Sequence, residues 1–502
     1  MFEPVRLSLA DITGPSYVQA VCRARAFLGT TPVADLERLA TAPVDFWPES
    51  LQARLRELLP RVGQRVVAPL ADSAPGASTE AFTAATHASM APLSGLGWYR
   101  IGEDGRLYVI SKSEHYHASL GHAFPGYALI ERAQALGVPN ATHNNTRGEI
   151  TRLLETALLD AANAGRGAGK APLDRVLNLE TGSLALEAAL KLVLARFHQH
   201  DPAKAVPEGS GRMPVILVMA DDDGGPTANY HGTTVLTQVC RGLWPQWRRG
   251  LEEAGLMRVR AVRPNDIADF ARAVREENAG GHRVAAFFHE IILMNYGAKV
   301  LTPEYLQEAY AICAENDIAT VVDEIQSCAW YAGGFLYTQY GIAPDMVAIG
   351  KGFPGGIYPA SRLLFRSHYD ILPQFGALVT NGQEELASLA CLVTLAWLQA
   401  NGAAVDAVGQ ALERGLGALP GRFPRLLEGL AGRGHLLGLR FRDLTPGRRF
   451  ATLMNEAGYD LSVQSYKSRC PPVALCKLPI IADECLVEAF VTACAEALRQ
   501  VS

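Results

Sequence analysis

The stretch DMVAIGKGFPGGIYPAS, residues 345–361, places a lysine directly after an apolar run with the length of a buried strand. In the run DMVAI (345–349), every residue after Asp345 is apolar, which is typical of a strand covered on both faces of a sheet. Lys351 follows between two glycines, which let the backbone and a ligand approach each other closely. A lysine at a solvated strand end is the plainer interpretation, but the glycines on both sides favour a functional lysine.

A second apolar run, IATVV (318–322), ends at a pair of carboxylates, Asp323 and Glu324. Ligands of open α/β sheets bind outside the carboxyl ends of the strands, so an acid there is placed to act. A helix cap or a surface carboxylate is the alternative interpretation. The distance in sequence between Asp323 and Lys351 is about that of one crossover between neighbouring parallel strands.

Apolar runs alternate with helical segments through the middle of the chain, and this alternation predicts an α/β core with a mostly parallel sheet. The runs are PVILVM (214–219), RVAAFF (283–288), IATVV (318–322), DMVAI (345–349) and SRLLF (361–365). After a predicted helix at about 384–401, the segments ALERGLGALPGRF and GHLLGLRFRDL no longer show the regular alternation of apolar runs and helices. They predict a small α+β lobe. A chain of 502 residues is expected to form more than one lobe.

The lysine and the acid together suit pyridoxal 5'-phosphate (PLP). This cofactor needs a lysine for its Schiff base and an acid that keeps its pyridine nitrogen protonated. Lys351 and Asp323 match those two requirements. A seat for the phosphate is offered by Thr181-Gly182-Ser183, which precedes the helical stretch LALEAALKLVLARF, because helix N-termini bind anions. Simple N-capping by Thr181 or Ser183 is the alternative there.

Taken in order, these motifs resemble those of the class III aminotransferases, a PLP-dependent family of fold type I. The resemblance covers about residues 95 to 500 and also includes the departures described below. It is carried by the segments TGSLALEAALKL (181–192), Tyr230-His231-Gly232, Glu290, Asp323-Glu324-Ile325-Gln326, Gly341-Ile342-Ala343-Pro344-Asp345 and Lys351-Gly352.

The resemblance implies a role for each of the matched residues. Lys351 would hold PLP as a Schiff base, Asp323 would pair with the pyridinium, and Gln326 would lie near the ring's phenolic oxygen. Tyr230 would stack on the ring. The site residues implied in this way are Thr181, Gly182, Ser183, Tyr230, His231, Glu290, Asp323, Gln326, Lys351 and Thr380.

The resemblance also implies a homodimer with the active site at the subunit interface. The segment TNGQEELA (380–387) lies in register with a family segment that contributes to the neighbouring site, so Thr380 would join the phosphate seat of the other subunit. The implied fold has a large domain with a mostly parallel sheet and a smaller α+β domain built from both chain ends. The expected boundaries are 1–90 for an N-terminal helical extension, 91–150 for the first part of the small domain, 151–385 for the large PLP-binding domain and 386–502 for the rest of the small domain.

Several positions depart from the family pattern, and they are positions that select the substrate. Asn295 stands where many members have a glutamate, and Ile291 replaces a proline. The aromatic pair Trp330-Tyr331 lies in the segment CAWYAGG, where the family commonly runs G-F-G-R-T-G. Near the C-terminus Lys477 is the only cation close to the position of the family's carboxylate-binding arginine, and a lysine binds a carboxylate as a point charge without the bidentate fork.

Composition excludes several other classes of function. The chain is 49% hydrophobic and 19% charged with a net charge of −5, so neither nucleic acid nor a membrane is an expected partner. Nine dispersed cysteines and the absence of a basic and apolar leader pattern predict a cytoplasmic protein with reduced thiols. The histidines of SKSEHYHASLGH (111–122) are expected to be structural or to line the substrate pocket, and no metal is predicted.

Three functions stay open at this point. The first is transamination between an amino acid or amine and a carbonyl substrate. The second is another PLP reaction on the same fold: epimerisation, decarboxylation, or substitution or elimination at the β or γ carbon. The third is a non-catalytic relative, which the presence of both Lys351 and Asp323 disfavours.

Overall fold

The computed structural model describes residues 2–167, 169–220, 230–465 and 470–502. Its centre is a seven-stranded sheet whose strands pair in the spatial order Arg175–Leu179, Ser361–Phe365, Met346–Ile349, Ala319–Asp323, His282–His289, Met213–Met219 and Arg258–Val262. The four adjacent pairings from Met346–Ile349 to Arg258–Val262 are parallel. The predicted mostly parallel sheet is therefore confirmed.

The five apolar runs singled out in the sequence all form strands of this sheet, and their side chains are almost entirely buried. Ser361–Phe365 runs antiparallel to both of its neighbours, which periodicity alone does not predict. Two further strands, Arg175–Leu179 and Arg258–Val262, were not predicted. Each begins with an arginine and is only partly buried at the rim of the sheet, so its apolar signal is weak.

Helices cover both faces of the sheet, as parallel strands require. The amphipathic members lie in the crossovers, where one face packs on the strands. The helices of this domain are Glu149–Asn163, Gly182–Leu194, Val235–Cys240, Pro245–Glu253, Ile267–Asn278 and Pro303–Glu315.

The smaller lobe is built from both ends of the chain. It contains the antiparallel strands Pro92–Leu96, Tyr99–Gly102 and Leu107–Val109, and a second antiparallel sheet of Leu427–Arg433, Leu436–Phe441, Val473–Cys476 and Val463–Gln464. Backbone hydrogen bonds from Asp460 N to the Val109 carbonyl and from Lys477 N to the Ser111 carbonyl join the two ends. The helices of the C-terminal part are Leu444–Glu456 and Glu484–Val501.

The helix predicted at about 384–401 is longer, Glu385–Gly417. Gly402 lies inside this helix, and a Cβ there would lie 2.9 Å from the Cβ of Ala332. The glycine therefore serves close packing, and tertiary contact outweighs its low helix propensity. The span Glu385–Arg422 is long and apolar enough to cross a membrane, yet 67% of its apolar window is buried inside the protein, as in a core helix.

The N-terminal extension consists mainly of helices: Leu9–Thr13, Pro15–Leu28, Val33–Thr41 and Glu49–Leu58, with a short strand pair, Arg6–Leu7 and Val44–Asp45. An aromatic cluster attaches it to the rest of the protein. The Trp47 ring lies 6.2 Å from that of Trp397 in the long helix and 6.3 Å from that of Trp98. The extension is thus packed against the small lobe and the long helix.

Candidate active site

Lys351 and Asp323 lie at the same edge of the central sheet. The strand Ala319–Asp323 pairs in parallel with Met346–Ile349, and Asp323 stands opposite Ala348, three residues before Lys351. Both side chains line one cavity of about 220 Å³ at the carboxyl ends of these strands. The cavity is lined by His117, Glu180, Thr181, Gly182, Ser183, Tyr230, Gly232, Asp323, Ile325, Gln326, Lys351, Pro354, Tyr358, Pro359 and Ala360.

The backbone around Lys351 is held in an unusual conformation. Lys351 has φ +34°, a region that non-glycine residues rarely occupy and that costs roughly 1–3 kcal/mol. The glycine after it is required by packing, because a Cβ at Gly352 would lie 2.9 Å from the carbonyl oxygen of Cys328. Burial lowers the pKa of the Lys351 ammonium, while the nearby carboxylates of Asp323 and Glu290 oppose this shift.

Asp323 presents one carboxylate oxygen to the cavity. Its Oδ1 accepts a hydrogen bond from the backbone N–H of Ile325 at 3.0 Å, which fixes the orientation of the side chain. Its Oδ2 lies 3.9 Å from Nδ1 of His231, too far for a hydrogen bond. The second oxygen is therefore available to a protonated ring nitrogen, as the pairing with a pyridinium requires.

Unpaired buried polar atoms surround this carboxylate. Oε1 of Gln326 and both ring nitrogens of His231 are buried and have no hydrogen-bond partner within the described ranges. Buried polar atoms are normally hydrogen-bonded, and their exceptions need a reason such as an unfilled ligand site. A polar aromatic cofactor between Asp323 and Gln326 supplies that reason, so the residues present fit PLP.

The segment predicted to hold the phosphate, Thr181-Gly182-Ser183, lies at the start of the helix Gly182–Leu194. Thr181 caps this helix, and Ser183 Oγ accepts a hydrogen bond from the Thr233 N–H at 3.0 Å. A Cβ at Gly182 would lie 2.8 Å from three carbon atoms of the Ile325 side chain. Glycine is thus required for the helix N-terminus to approach the loop that follows Asp323.

The remaining predicted residues occupy different positions. Tyr230 lines the cavity, and Cζ of Arg241 lies 4.4 Å from the centre of its ring. Glu290 is buried and does not line the cavity, but its negative charge favours the protonated form of Lys351 and so raises the pKa of that lysine. Thr380 is exposed at the start of the short helix Thr380–Gln383 and does not line the cavity of its own chain.

A left-handed turn, which the sequence did not predict, brings further residues to the site. Four successive residues, Ser113 to Tyr116, have φ values of 46°, 46°, 59° and 74°. Side chains other than glycine disfavour this region, and the segment SEHY contains no glycine that would have signalled it. The turn places the Tyr116 ring 4.9 Å from Nζ of Lys351 and is followed by His117, which lines the cavity.

Lys477 lies behind Tyr116 and not on the cavity wall. Its side chain is buried, and its Nζ is 3.9 Å from the centre of the Tyr116 ring. The nearest acid, Asp460, is already bound by Arg100 at 2.7 Å and by Lys112 at 2.6 Å. Burial, together with the charges of Lys351 and Lys112, lowers the pKa of Lys477 to about 7.

The depressed pKa of Lys477 predicts a pH-dependent effect of its removal. An unfolded lysine titrates near 10.4, so below pH 7 the folded protein bears the full cost of burying this charge, and the cost fades as the pH rises towards 10. Lys477→Met should therefore raise the free energy of unfolding most at pH 6–7, by roughly a few kcal/mol, and progressively less towards pH 9. Urea unfolding at several pH values measures this difference. Lys204→Met, at an exposed lysine, is the control, and an equal gain at all pH values would contradict the prediction.

Comparison with known proteins places this site in a family. The family model described as "Aminotransferase class-III" matches residues 83–476. The acetylornithine aminotransferase of Synechocystis sp. is 27% identical over 67% of this chain and 73% of its own length, and the ornithine aminotransferase of Bordetella pertussis is 28% identical over 72% and 81%.

Solved structures share the fold. The ornithine aminotransferase of Toxoplasma gondii has a TM-score of 0.67 at 20% identity and covers 85% of this chain and 96% of its own. A transaminase from the marine bacterium Virgibacillus has a TM-score of 0.68 at 18% identity, with coverages of 89% and 99%. Since the family model spans most of the sequence, including Asp323 and Lys351, the chain belongs to the class III aminotransferases, which are PLP-dependent enzymes.

Proposed function

We propose that Lys351 holds PLP covalently through its Nζ and that Asp323, Gln326 and the first turn of Gly182–Leu194 hold the rest of the cofactor. The observation that carries the proposal is the cavity that Lys351 and Asp323 share at the ends of two neighbouring strands. The pKa of Lys351 is lowered there, and one oxygen of the Asp323 carboxylate accepts no hydrogen bond from any residue that the structure describes. When bound, PLP supplies an electron sink for the charge that develops at the substrate's Cα during amino-group transfer.

The chain's own residues would divide the work as follows. The Asp323 carboxylate holds a proton on the ring nitrogen, and the backbone N–H groups after Thr181 bind the phosphate. Once the substrate amine has displaced it, Lys351, whose burial favours its neutral form, would accept the proton from the substrate's Cα at its Nζ and return it to the cofactor carbon on the other side of the substrate nitrogen. Tyr116, fully buried next to Lys351 Nζ, excludes water on that side.

Lys351→Ala tests the covalent role. The wild-type protein, purified with PLP, is expected to show a visible absorbance band that borohydride bleaches, and the variant should lack the bleachable band and lose at least about 10³-fold in turnover, because both the anchor and the proton carrier are removed. Absorbance spectroscopy before and after borohydride measures this. Lys204→Ala, at an exposed lysine far from the cavity lining, should behave as wild type. An unchanged band in Lys351→Ala would refute the proposal.

We also propose that the substrate is an amino acid without a second ammonium group. The support is electrostatic: Lys477 lies directly behind Tyr116, and the carboxylates of Glu114 and Asp460 are already engaged in ion pairs with Arg100 and Lys112. The relatives are named for ornithine, which keeps one ammonium after the other reacts, and for acetylornithine, whose second nitrogen is a neutral amide. When protonated, the Lys477 ammonium would repel a second substrate ammonium in this partly buried site.

The substrate class can be read from the first half of the reaction. Mixed with the PLP enzyme, N-acetylornithine or glutamate should convert the cofactor to its pyridoxamine form faster than ornithine, by about tenfold or more, because each kcal/mol of repulsion counts several-fold in rate. Lys477→Met should raise the rate of conversion with ornithine more than the rate with N-acetylornithine. The ratio of the two rates should therefore become smaller than in the wild type. Stopped-flow absorbance measures both. Faster conversion by ornithine in the wild type would contradict the proposed class.

A homodimer that shares its active sites is proposed from the position of Thr380. This residue is exposed and lies outside the cavity of its own chain, while the family resemblance assigns its segment to the neighbouring site. The cytoplasmic location stays a prediction from the sequence.

Mixed dimers test the sharing. Lys351→Ala and Thr380→Asp chains should each be nearly inactive, the second because its carboxylate repels the phosphate. Mixed in equal amounts with subunit exchange, they should regain about one quarter of wild-type activity, since half of the dimers then contain one intact site in a twofold arrangement. If Thr380 served its own chain, the mixture would stay inactive. Sedimentation velocity should show a species of twice 54.0 kDa.

A further inference from the structure

A second cavity lies at the opposite, amino-terminal edge of the sheet. It has a volume of about 490 Å³ and is formed below the strands Ala319–Asp323 and Met346–Ile349. We call it the amino-edge cavity. Its polar lining includes Arg166, Lys170, Asp317, Asp345, Arg366 and His368.

Cations outnumber carboxylates around this cavity. Asp345 is neutralised by Arg366 at 2.6 Å, and Asp317 is shared by Arg196 at 2.6 Å and Arg283 at 2.5 Å. Both acids are therefore already bound. The other two cations of the lining, Arg166 and Lys170, form no ion pair with a carboxylate within the described ranges.

Arg166 is the strongest of these unmatched cations. Its guanidinium donates to the carbonyl oxygens of Pro344 and Ala171 at 2.8 and 2.7 Å, and neither is an acid. Its Nε is buried and has no hydrogen-bond partner in the part of the chain that the structure describes. Lys170 is exposed at the rim, where no ion pair engages its ammonium among those residues. An anion in the cavity would accept charge-assisted hydrogen bonds from both Arg166 and Lys170.

The walls of the cavity also offer apolar and aromatic surface. Tyr310, Ile318, Ile342 and Tyr369 line it together with four alanines. A bare inorganic ion would leave most of a 490 Å³ space unfilled. We propose that the amino-edge cavity binds a small organic oxyanion, a carboxylate or phosphate on a flat apolar body, and that its occupancy is felt at the active site.

The connection to the active site runs through Asp345. The Thr320 backbone N–H and its hydroxyl both donate to Asp345 Oδ2, at 2.9 and 3.0 Å, and the Asp345 N–H donates back to the Thr320 carbonyl at 3.0 Å. These bonds fasten the starts of the two strands that end at Asp323 and Lys351. An anion that draws Arg366 away from Asp345 loosens this fastening.

A second connection starts at Tyr310 in the cavity wall. Its hydroxyl is 2.9 Å from Nε2 of His289, and the Nδ1 of His289 is 3.1 Å from the carbonyl oxygen of Glu290. Glu290 in turn acts on the charge of Lys351. Turnover measured together with binding tests this connection.

Phenyl phosphate is the probe for this site, used on PLP-saturated enzyme so that the cofactor's phosphate seat is filled. Calorimetric titration should give one probe per chain outside the active site, with affinity that falls as salt is raised, because the attraction is electrostatic. Arg166→Gln should weaken binding about tenfold or more and Lys170→Gln about threefold. Arg212→Gln, at an exposed arginine elsewhere, is the matched control and should bind as wild type.

Further probes separate the possible sources of the oxyanion. Benzoate binding better than phenyl phosphate indicates a carboxylate ligand, the reverse order a phosphate ligand, and neutral benzyl alcohol should not bind. Turnover of the wild type should change on adding the better probe, and in Lys170→Gln, whose exposed side chain is dispensable for folding, the same change should require about threefold more probe. Equal binding in Arg166→Gln, Lys170→Gln and Arg212→Gln, no binding at all, or binding without a change in turnover would overturn the proposal.

Discussion

The parallel pairing of the strands Ala319–Asp323 and Met346–Ile349 is the constraint on which the active site depends. Parallel strands end at the same edge of a sheet, so the residues that follow them meet without any further device. At the other end, the mutual hydrogen bonds between Thr320 and Asp345 set the register of this pair. A slip of one residue would turn Asp323 to the other face of the sheet and away from Lys351.

Close packing of loops on this edge makes the cavity. Gly182 lets the helix N-terminus touch Ile325, and Gly352 lets the lysine loop touch the carbonyl of Cys328. The cost appears as strain, in the positive φ of Lys351 and of the turn that ends at Tyr116. Such strain persists only where surrounding contacts enforce it, and here the neighbouring turn contributes the buried residues Ile325 and Cys328.

Charge distinguishes this chain from the pattern of its family. Lys477 is buried against Tyr116, where its neighbours Lys351 and Lys112 add to the positive potential and Asp460 is already engaged. Burying a charged lysine destabilises the folded protein, and the lowered pKa of Lys477 reflects that free-energy cost. Under the proposed substrate class, the same buried charge that costs stability would also disfavour a second substrate ammonium.

The sequence by itself determined the α/β class, five strands of the sheet, and the chemical pair Asp323 and Lys351, because buried strands and the residues at their ends are local patterns. It also predicted that Thr181-Gly182-Ser183 stands at the N-terminus of a helix. Only the tertiary structure decided that Lys477 lies behind Tyr116 and that the long helix continues past Gly402. The same is true of the second cavity, which Arg166 lines. Those features arise from contacts between residues far apart in the chain, and no periodicity or spacing records such contacts.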